Sequence, residues 1–288
     1  MSFLISSLLA PGPRSADLQH GCMGIFESLK RTFNVGGCAI SIQPAAETIR
    51  QGGSVHGMVE LRGGGYIQEA RCLRIALVEF WTESRGSGKS RRTVTVTHEA
   101  SSETLASPFT IAVDQAVSLP FRLAVPLDAR LSYPGRPQGW RLTVSMDVPG
   151  AVDPSGSLDL RVEPAEALLE LVKLWGEVLR WPEQPDKRSW DRSDRTTCFR
   201  FTPPPELTSE FDFLDVACKP LGGDWHAAMS FDLQEKGFLD RLKAVINIDK
   251  AKSGLRIPAA ALSGDQAARA ACAKEIVGIM QGIIAKRT

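Results

Sequence analysis

Residues 54–62 read SVHGMVELR, and the alternation within this short stretch decides the fold class. Its odd-numbered positions hold Val55, Gly57, Val59 and Leu61. Its even-numbered positions hold Ser54, His56, Met58, Glu60 and Arg62. Successive side chains on a β-strand point to opposite faces, so this pattern predicts a strand with one face buried.

The same two-residue period recurs through the first half of the sequence. It appears in residues 67–82, 92–98, 121–125, 140–147 and 158–163. Clusters of Gly, Pro and Ser separate these segments, and no helical period lies between them. Short strands separated by turn residues favour an antiparallel β-sandwich.

The period changes at Pro164, where apolar residues begin to recur every three or four positions. They are Leu168, Leu171, Val172, Trp175, Val178 and Leu179. This spacing predicts an amphipathic helix over 165–180 and places a domain boundary beside Pro164. Beyond this helix, we predict four strands and one short helix from the same patterns. The strands span 196–201, 211–219, 225–234 and 254–257, and the helix spans 238–246.

The tail carries the signals of a further helix. Residues 263–266 read SGDQ, which fits a capping box, and an apolar stripe follows. The stripe holds Ile276, Val277, Met280, Ile283 and Ile284. Its apolar run from 276 to 285 is far shorter than the ~20 residues that span a bilayer. We therefore expect a docking helix that could join two copies as a homodimer, without stable membrane insertion.

Together these segments predict a mainly β protein of two antiparallel β-sandwich domains, with a helix at the start of the second domain and a C-terminal helix. A length of 288 residues suits two domains. We expect a disordered leader over 1–22, the N-terminal sandwich over 23–163, the C-terminal sandwich with short helices over 164–262, and the C-terminal helix over 263–288. Whether Met1 or Met23 is the natural start stays open.

Charge and cysteine content narrow the class of protein. The chain has 34 Lys and Arg against 33 Asp and Glu, a net charge of +1 at pH 7. A nucleic-acid binder normally carries a basic domain or stripe, so we expect no nucleic-acid partner. The six cysteines form no CxxC pair, which is typical of free thiols and predicts a cytoplasmic location.

Residues 85–90 read RGSGKS, which ends like a nucleotide-binding P-loop. The first glycine of a P-loop would stand at position 83, where this chain has Glu83. A P-loop also leads into a helix, whereas strand patterns lie on both sides of this stretch. We therefore interpret Gly86-Ser87-Gly88 as a hairpin turn and expect no bound nucleotide.

No motif in the sequence indicates catalysis, a metal or a cofactor. The histidines lack HExxH spacing, and no GxSxG or GxGxxG motif appears. Asp191 and Asp194 alternate with arginines, which favours surface salt bridges. We expect no catalytic residue, metal or cofactor. The rival hypothesis is an enzyme, a hydrolase above all, built on Asp212, Asp215 and His226.

Four cations lie close together around the predicted hairpin turn. They are Arg85, Lys89, Arg91 and Arg92. Such a group can be a surface that binds a partner, or a solvated turn that keeps a strand edge from pairing. Both interpretations stay open, and these residues are the candidate partner-binding site.

Short segments along the chain follow the order of a known family. They are MGIFESLKRTF at 23–33, IQPAAETIRQGGSVHGMVELRGG at 42–64, SLPFRLAVP at 118–126, GSLDLRVEP at 156–164, ALLELVKLWGEVLR at 167–180, FRFTPPPEL at 199–207, EFDFLDVACKP at 210–220 and FLDRLKAVINIDKAKSGLRI at 238–257. Through them the chain resembles the bacterial sporulation-control proteins, which have an arrestin-like fold of two β-sandwich domains.

The resemblance implies a non-enzymatic cytoplasmic regulator or adaptor that acts through protein–protein contacts. Its partners are proteins of unknown identity, and the family supplies no catalytic residues. Residues 1–22 and 264–286 depart from the family pattern. A second alternative is therefore a scaffold that associates with a membrane surface through the C-terminal helix.

Overall fold

The computed structural model of the chain describes residues 37–133, 138–150, 153–234 and 250–286. The strands are β1 (Ala39–Pro44), β2 (Thr48–Arg50), β3 (Ser54–Arg62), β4 (Gln68–Ala70), β5 (Cys72–Arg85), β6 (Arg92–Ala106), β7 (Phe109–Ile111), β8 (Ala116–Ala124), β9 (Gly139–Asp147), β10 (Ser155–Glu163), β11 (Ser189–Asp191), β12 (Thr196–Phe201), β13 (Phe211–Leu221), β14 (Asp224–Leu233) and β15 (Lys250–Ile257). The helices are α1 (Glu166–Lys173), α2 (Ala259–Leu262) and α3 (Gln266–Ala285).

The first half, residues 37–163, contains a sandwich of two sheets. One sheet has the order β1-β3-β8, and the other has the order β2-β10-β9-β5-β6. Only β2 and β10 pair in parallel among these strands. Apolar side chains from both sheets meet in one core, among them Val59, Leu77, Trp140 and Val144.

Strand β3 coincides with the alternating stretch 54–62 and lies at the centre of its sheet. Val55, Val59 and Leu61 are buried, as the alternation predicts. Gly57 lies so close to β1 that an added Cβ would fall 2.7 Å from the Cα of Pro44. A side chain there would push the two strands apart, so this register requires glycine.

The second half, residues 164–286, contains one antiparallel sheet in the order β11-β12-β13-β14-β15. In the described residues, the three helices and the segment around Trp181 cover one face of this sheet. Trp175 lies 5.4 Å from Phe201, and Trp181 lies 5.8 Å from Phe211, measured between ring centroids. Helices therefore lie where a second sheet lies in the first half. The domain boundaries stay predictions.

The predicted helix over 165–180 is confirmed in position but changes geometry within its length. α1 continues into a turn of π-helix over Leu174–Val178. A π turn holds one more residue than an α turn and shifts the buried stripe. Leu174 is buried, whereas Val178 is 50% exposed. The prediction that Val178 belongs to the buried stripe was wrong.

Helix α3 belongs to the core of the second half. Cys272, Ala273, Ile276 and Met280 are buried in that core. Asp265 caps the helix, because its carboxylate accepts hydrogen bonds from two backbone N–H groups at the helix start. The predicted capping box, with its cap at the start of SGDQ, was wrong. The homodimer through this helix stays a prediction.

The mainly β class, the antiparallel sheets and the C-terminal helix are confirmed. Three predictions lie outside the described residues: the leader 1–22, the segment 23–33 and the helix 238–246. No helix within the described ranges is long and apolar enough to cross a membrane.

We predict that Ile276→Ala will destabilise the protein by about 2–5 kcal/mol, because it leaves a cavity at a residue with 0% exposure. Urea unfolding measures the loss. Val178→Ala is the matched control on a half-exposed helical residue, where we expect a change within ~0.5 kcal/mol. Equal losses for the two variants would show that α3 contributes nothing to the core.

Candidate functional site

The RGSGKS stretch lies at the tip of a hairpin formed by β5 and β6. The two strands pair in antiparallel fashion out to Arg85 opposite Arg92. Gly86 and Gly88 have φ values of 92° and 54°, which suit glycine. An added Cβ on Gly86 would lie 2.5 Å from the carbonyl oxygen of Ser90. The predicted hairpin turn is confirmed, and the turn leads into a strand rather than into the helix of a P-loop.

The structure brings the four predicted cations together at this tip. Arg85, at the end of β5, forms an ion pair of 3.4 Å with Glu83. Arg91 and Arg92 are exposed at the start of the return strand. Lys89 lies within the turn, and its side chain is outside the described part. Whether these residues bind a partner stays a prediction.

The hairpin extends beyond the sheet that carries it. The last residue of β5 that pairs with β9 is Phe80, opposite Gly139. From Trp81 to Arg85, β5 pairs only with β6 among the described strands. Side chains from the second half contact this extension instead.

Glu83 connects the hairpin to the second half. Its carboxylate accepts a hydrogen bond of 2.8 Å from the indole N–H of Trp81 and forms an ion pair of 2.6 Å with Arg192. The indole hydrogen bond first, and the arginine next, hold the pKa of Glu83 at about 2. This carboxylate is therefore negative at any physiological pH.

Arginines and tryptophans alternate behind the hairpin. Arg192 lies over the Trp81 ring at 4.4 Å, and Arg130 lies 5.6 Å from the same ring. Arg130 also lies 4.5 Å from the Trp190 ring, on which Arg195 lies at 5.6 Å. Cations over ring faces at these distances attract the rings. We call Trp81, Arg130, Trp190, Arg192 and Arg195 the Arg–Trp junction. Trp81 and Arg130 come from the first half, and the other three come from the second half.

Carboxylates of the first half neutralise the junction. Glu79, with 2% exposure, accepts a hydrogen bond of 2.7 Å from Nε of Arg130 and lies 3.8 Å from Arg195. Asp128 accepts a hydrogen bond of 2.6 Å from Nε of Arg195, which raises the pKa of that guanidinium. Arg195 has φ of 51°, a strained value outside glycine, and these contacts hold it there.

Gln51 forms a second bridge between the halves, and only 4% of it is exposed. Its amide N–H groups donate to the carbonyl oxygen of Ala129 at 2.6 Å and to the hydroxyl of Thr197 at 3.2 Å. Its amide oxygen accepts a hydrogen bond of 3.1 Å from the backbone N–H of Ala165. One side chain therefore ties a loop of the first half to the start of α1 and to β12.

The sequence did not predict this junction. Arg192 and Arg195 were assigned to surface salt bridges with their aspartate neighbours, but both reach carboxylates of the first half. Asp191 instead accepts hydrogen bonds from the hydroxyl and the backbone N–H of Ser193, which lower its pKa. One signal was available in the sequence: Trp190 stands beside Asp191 and Arg192. A tryptophan ring among charged residues needs a partner that shields it from water.

The residues of the rival enzyme hypothesis are not brought together. Asp215 forms an ion pair of 2.7 Å with Arg200, and Asp212 accepts a hydrogen bond from Gln234. His226 lies four strand positions, about 13 Å, from the residue opposite Asp215. Within the described residues, no group of three or more His, Cys, Asp or Glu side chains could hold a metal ion.

The described cysteines carry free thiols. They are Cys38, Cys72, Cys198, Cys218 and Cys272. Burial raises the pKa of the Cys218 thiol strongly, and it raises the pKa of Cys272 to about 11. These two thiols stay protonated in the core and pack as small apolar groups.

Comparison with known proteins identifies first the fold and then the family. The crystal structure of Spo0M, a sporulation control protein from Bacillus subtilis, matches with a TM-score of 0.61 and 15% sequence identity, over 85% of this chain and 100% of that chain. This likeness confirms the arrestin-like fold. No curated protein matches the chain. The profile of the Spo0M family, described as SpoOM protein, matches residues 26–234. The chain therefore belongs to the Spo0M family.

We predict that Glu83→Gln will lower stability at neutral pH and that its effect will fade in acid. The pKa of Glu83 falls from an ordinary 4.5 to about 2 in the folded chain. The stabilisation is thus complete above pH ~4.5 and is lost as the pH falls toward 2. Urea midpoints of both proteins between pH 7 and pH 3 test this expectation. Glu69→Gln in β4 is the control, and a difference that stays constant with pH would contradict the prediction.

We also predict that Gln51→Ala will cost about 1–3 kcal/mol, because it leaves the buried N–H of Ala165 and the carbonyl of Ala129 without this partner. The free energy of unfolding in urea measures the effect. Gln43→Ala, at an exposed position of β1, should change it by less than ~0.5 kcal/mol. Similar losses in both variants would show that the hydrogen bonds of Gln51 do not stabilise the fold.

Proposed function

We propose that this protein is a non-enzymatic cytoplasmic regulator or adaptor that binds other proteins through the basic hairpin tip. The observation that supports this proposal is the placement of Arg85, Lys89, Arg91 and Arg92 on a hairpin that extends past its sheet. Membership of the Spo0M family, together with the likeness to a sporulation control protein from Bacillus subtilis, supports a regulatory role. The proposal involves no catalytic residue, metal, cofactor or nucleic acid.

The chemistry of the tip favours a partner with an acidic surface. Guanidinium groups bind carboxylates through two parallel hydrogen bonds, which gives such contacts a defined orientation. Arg91 and Arg92 are exposed and can form such pairs. Arg85 is already paired with Glu83, so it contributes less to a new contact.

The Arg–Trp junction supports the proposal by fixing the tip. A loop that must become ordered on binding loses affinity, whereas a preorganised one avoids that cost. Trp81 and Glu83 hold the base of the tip against Arg192 of the second half. The tip is therefore presented in one orientation, set by both halves of the chain.

We predict that replacing Arg85, Lys89, Arg91 and Arg92 together with Ala will abolish capture of the partner and leave folding nearly unchanged. Exposed charge substitutions usually change stability by less than ~0.5 kcal/mol each. Pull-down from the native host, with capture quantified for the wild type and the variant, measures the effect. The melting temperature of each protein checks its folding.

A control variant carries four Ala substitutions at cations spread over the surface. They replace Arg122, Arg161, Lys219 and Lys274, which are all exposed. The net charge changes equally, but no cluster is lost. A partner that is lost from both variants binds through the overall charge of the protein and not through the hairpin tip. An identical set of partners for the wild type and the tip variant would refute the proposal.

A further inference from the structure

The outer edge of β6 is open next to the basic tip. β6 is the last strand of its sheet, and in the described residues it pairs only with β5. Farther along, the Ser101 hydroxyl donates to the carbonyl of Ala124, and Glu103 accepts from the N–H of Arg122. Those contacts bring β8 against that part of the edge. We call residues 91–99 the edge segment.

The edge segment has the composition of a strand that pairs well. Its centre, residues 93–97, reads TVTVT and contains no charge. β-Branched residues favour strands, and an edge without charges is a template for another strand. Val94 and Val96 are half-buried on the face that carries Trp81, and the three threonines are exposed.

The segment is also complementary to itself. If two copies run antiparallel about Thr95, each valine faces a valine and each outer threonine faces a threonine. The same register places Arg91 opposite Glu99 twice, once on each side of the axis. Opposite charges across a strand pair stabilise it.

We propose that two copies of this chain join through their edge segments, antiparallel, with a two-fold axis through Thr95. The contact is isologous, so each side supplies the complement of the other. It extends the two five-stranded sheets into one continuous sheet. This interface is independent of the proposed function, although Arg91 lies in both surfaces.

Alternative registers fit worse. A shift by two residues places Arg91 opposite Thr97 in one direction and opposite Ser101 in the other, so the pairing of Arg91 with Glu99 is lost. A shift by one residue brings the valine face of one copy against the threonine face of the other. The register centred on Thr95 alone satisfies both requirements.

Glu99 can serve this interface although it already has a partner. Its carboxylate accepts a hydrogen bond of 2.5 Å from Arg74. A carboxylate offers about four acceptor sites, so Arg91 of a second copy can bind the same group. Arg74 also keeps the pKa of Glu99 low, so the group is charged at neutral pH.

The first test uses cysteine cross-linking in the full chain. In the proposed pairing, Thr95 faces Thr95 of the other copy at a Cα separation of ~4.5–5.5 Å, within the range of a disulfide. Thr95→Cys should form a covalent dimer on mild oxidation. Thr93→Cys should not, because it faces Thr97. The unsubstituted chain controls for its natural cysteines. Equal cross-linking of the two variants would overturn the proposal.

The second test uses charge at the axis, with sedimentation velocity over a range of protein concentrations. Thr95→Lys and Thr95→Glu each place like charges face to face, so each alone should be monomeric. An equimolar mixture should restore the dimer. Thr110→Lys on the exposed face of β7 should behave as the wild type.

Three results overturn the proposal. One is a wild type that stays monomeric at every concentration. Another is a dimer that persists in Thr95→Lys, which would place the interface elsewhere, such as on α3. The third is a mixture of the two charge variants that fails to associate. None depends on whether the tip binds an acidic partner.

Discussion

The attraction between arginine cations and the two tryptophan rings is the interaction on which the rest of the site depends. Glu79 is almost fully buried, and a buried carboxylate is costly unless a cation lies against it. Arg130 supplies that cation, and its guanidinium is itself placed between Trp81 and Trp190. Removing Arg130 would therefore leave the buried carboxylate of Glu79 without its hydrogen-bonded cation.

This dependence explains how a long hairpin keeps a defined direction. Past Phe80, β5 loses β9 as a neighbour, and a two-stranded ribbon is marginally stable by itself. Arg192 supplies contacts to the ribbon there, over the Trp81 ring and at the Glu83 carboxylate. Since Arg192 belongs to the second half, both halves hold the hairpin.

The sequence predicted what depends on local pattern. The alternation in 54–62, the change of period at Pro164 and the hairpin around RGSGKS each follow from the side-chain direction of one element. The π turn after α1 was not predictable, because Leu174 and Val178 are equally apolar and only packing decides which one is buried. Asp265 replaced the predicted cap because its carboxylate lies one residue before the helix and reaches two N–H groups.

The junction could not be predicted for a different reason. Arg192 and Arg195 have aspartates beside them in the sequence, and nothing in that spacing indicates carboxylates more than sixty residues away. Contacts between distant segments depend on how the two halves meet. No local signal in the sequence indicates that geometry. Gln51 lies in an ordinary turn, so its hydrogen bonds to both halves could not be predicted either.

The position of α3 in the core has a consequence for biosynthesis. The core that contains Trp175, Trp181 and Phe231 also contains Ile276 and Met280 of α3, so it is complete only when α3 has joined it. Chains leave the ribosome from the N-terminus at ~5–20 residues per second, and the sandwich of the first half can close before these residues exist. During that interval the nascent second half exposes apolar surface, so this is the stage at which a chaperone would have most to bind.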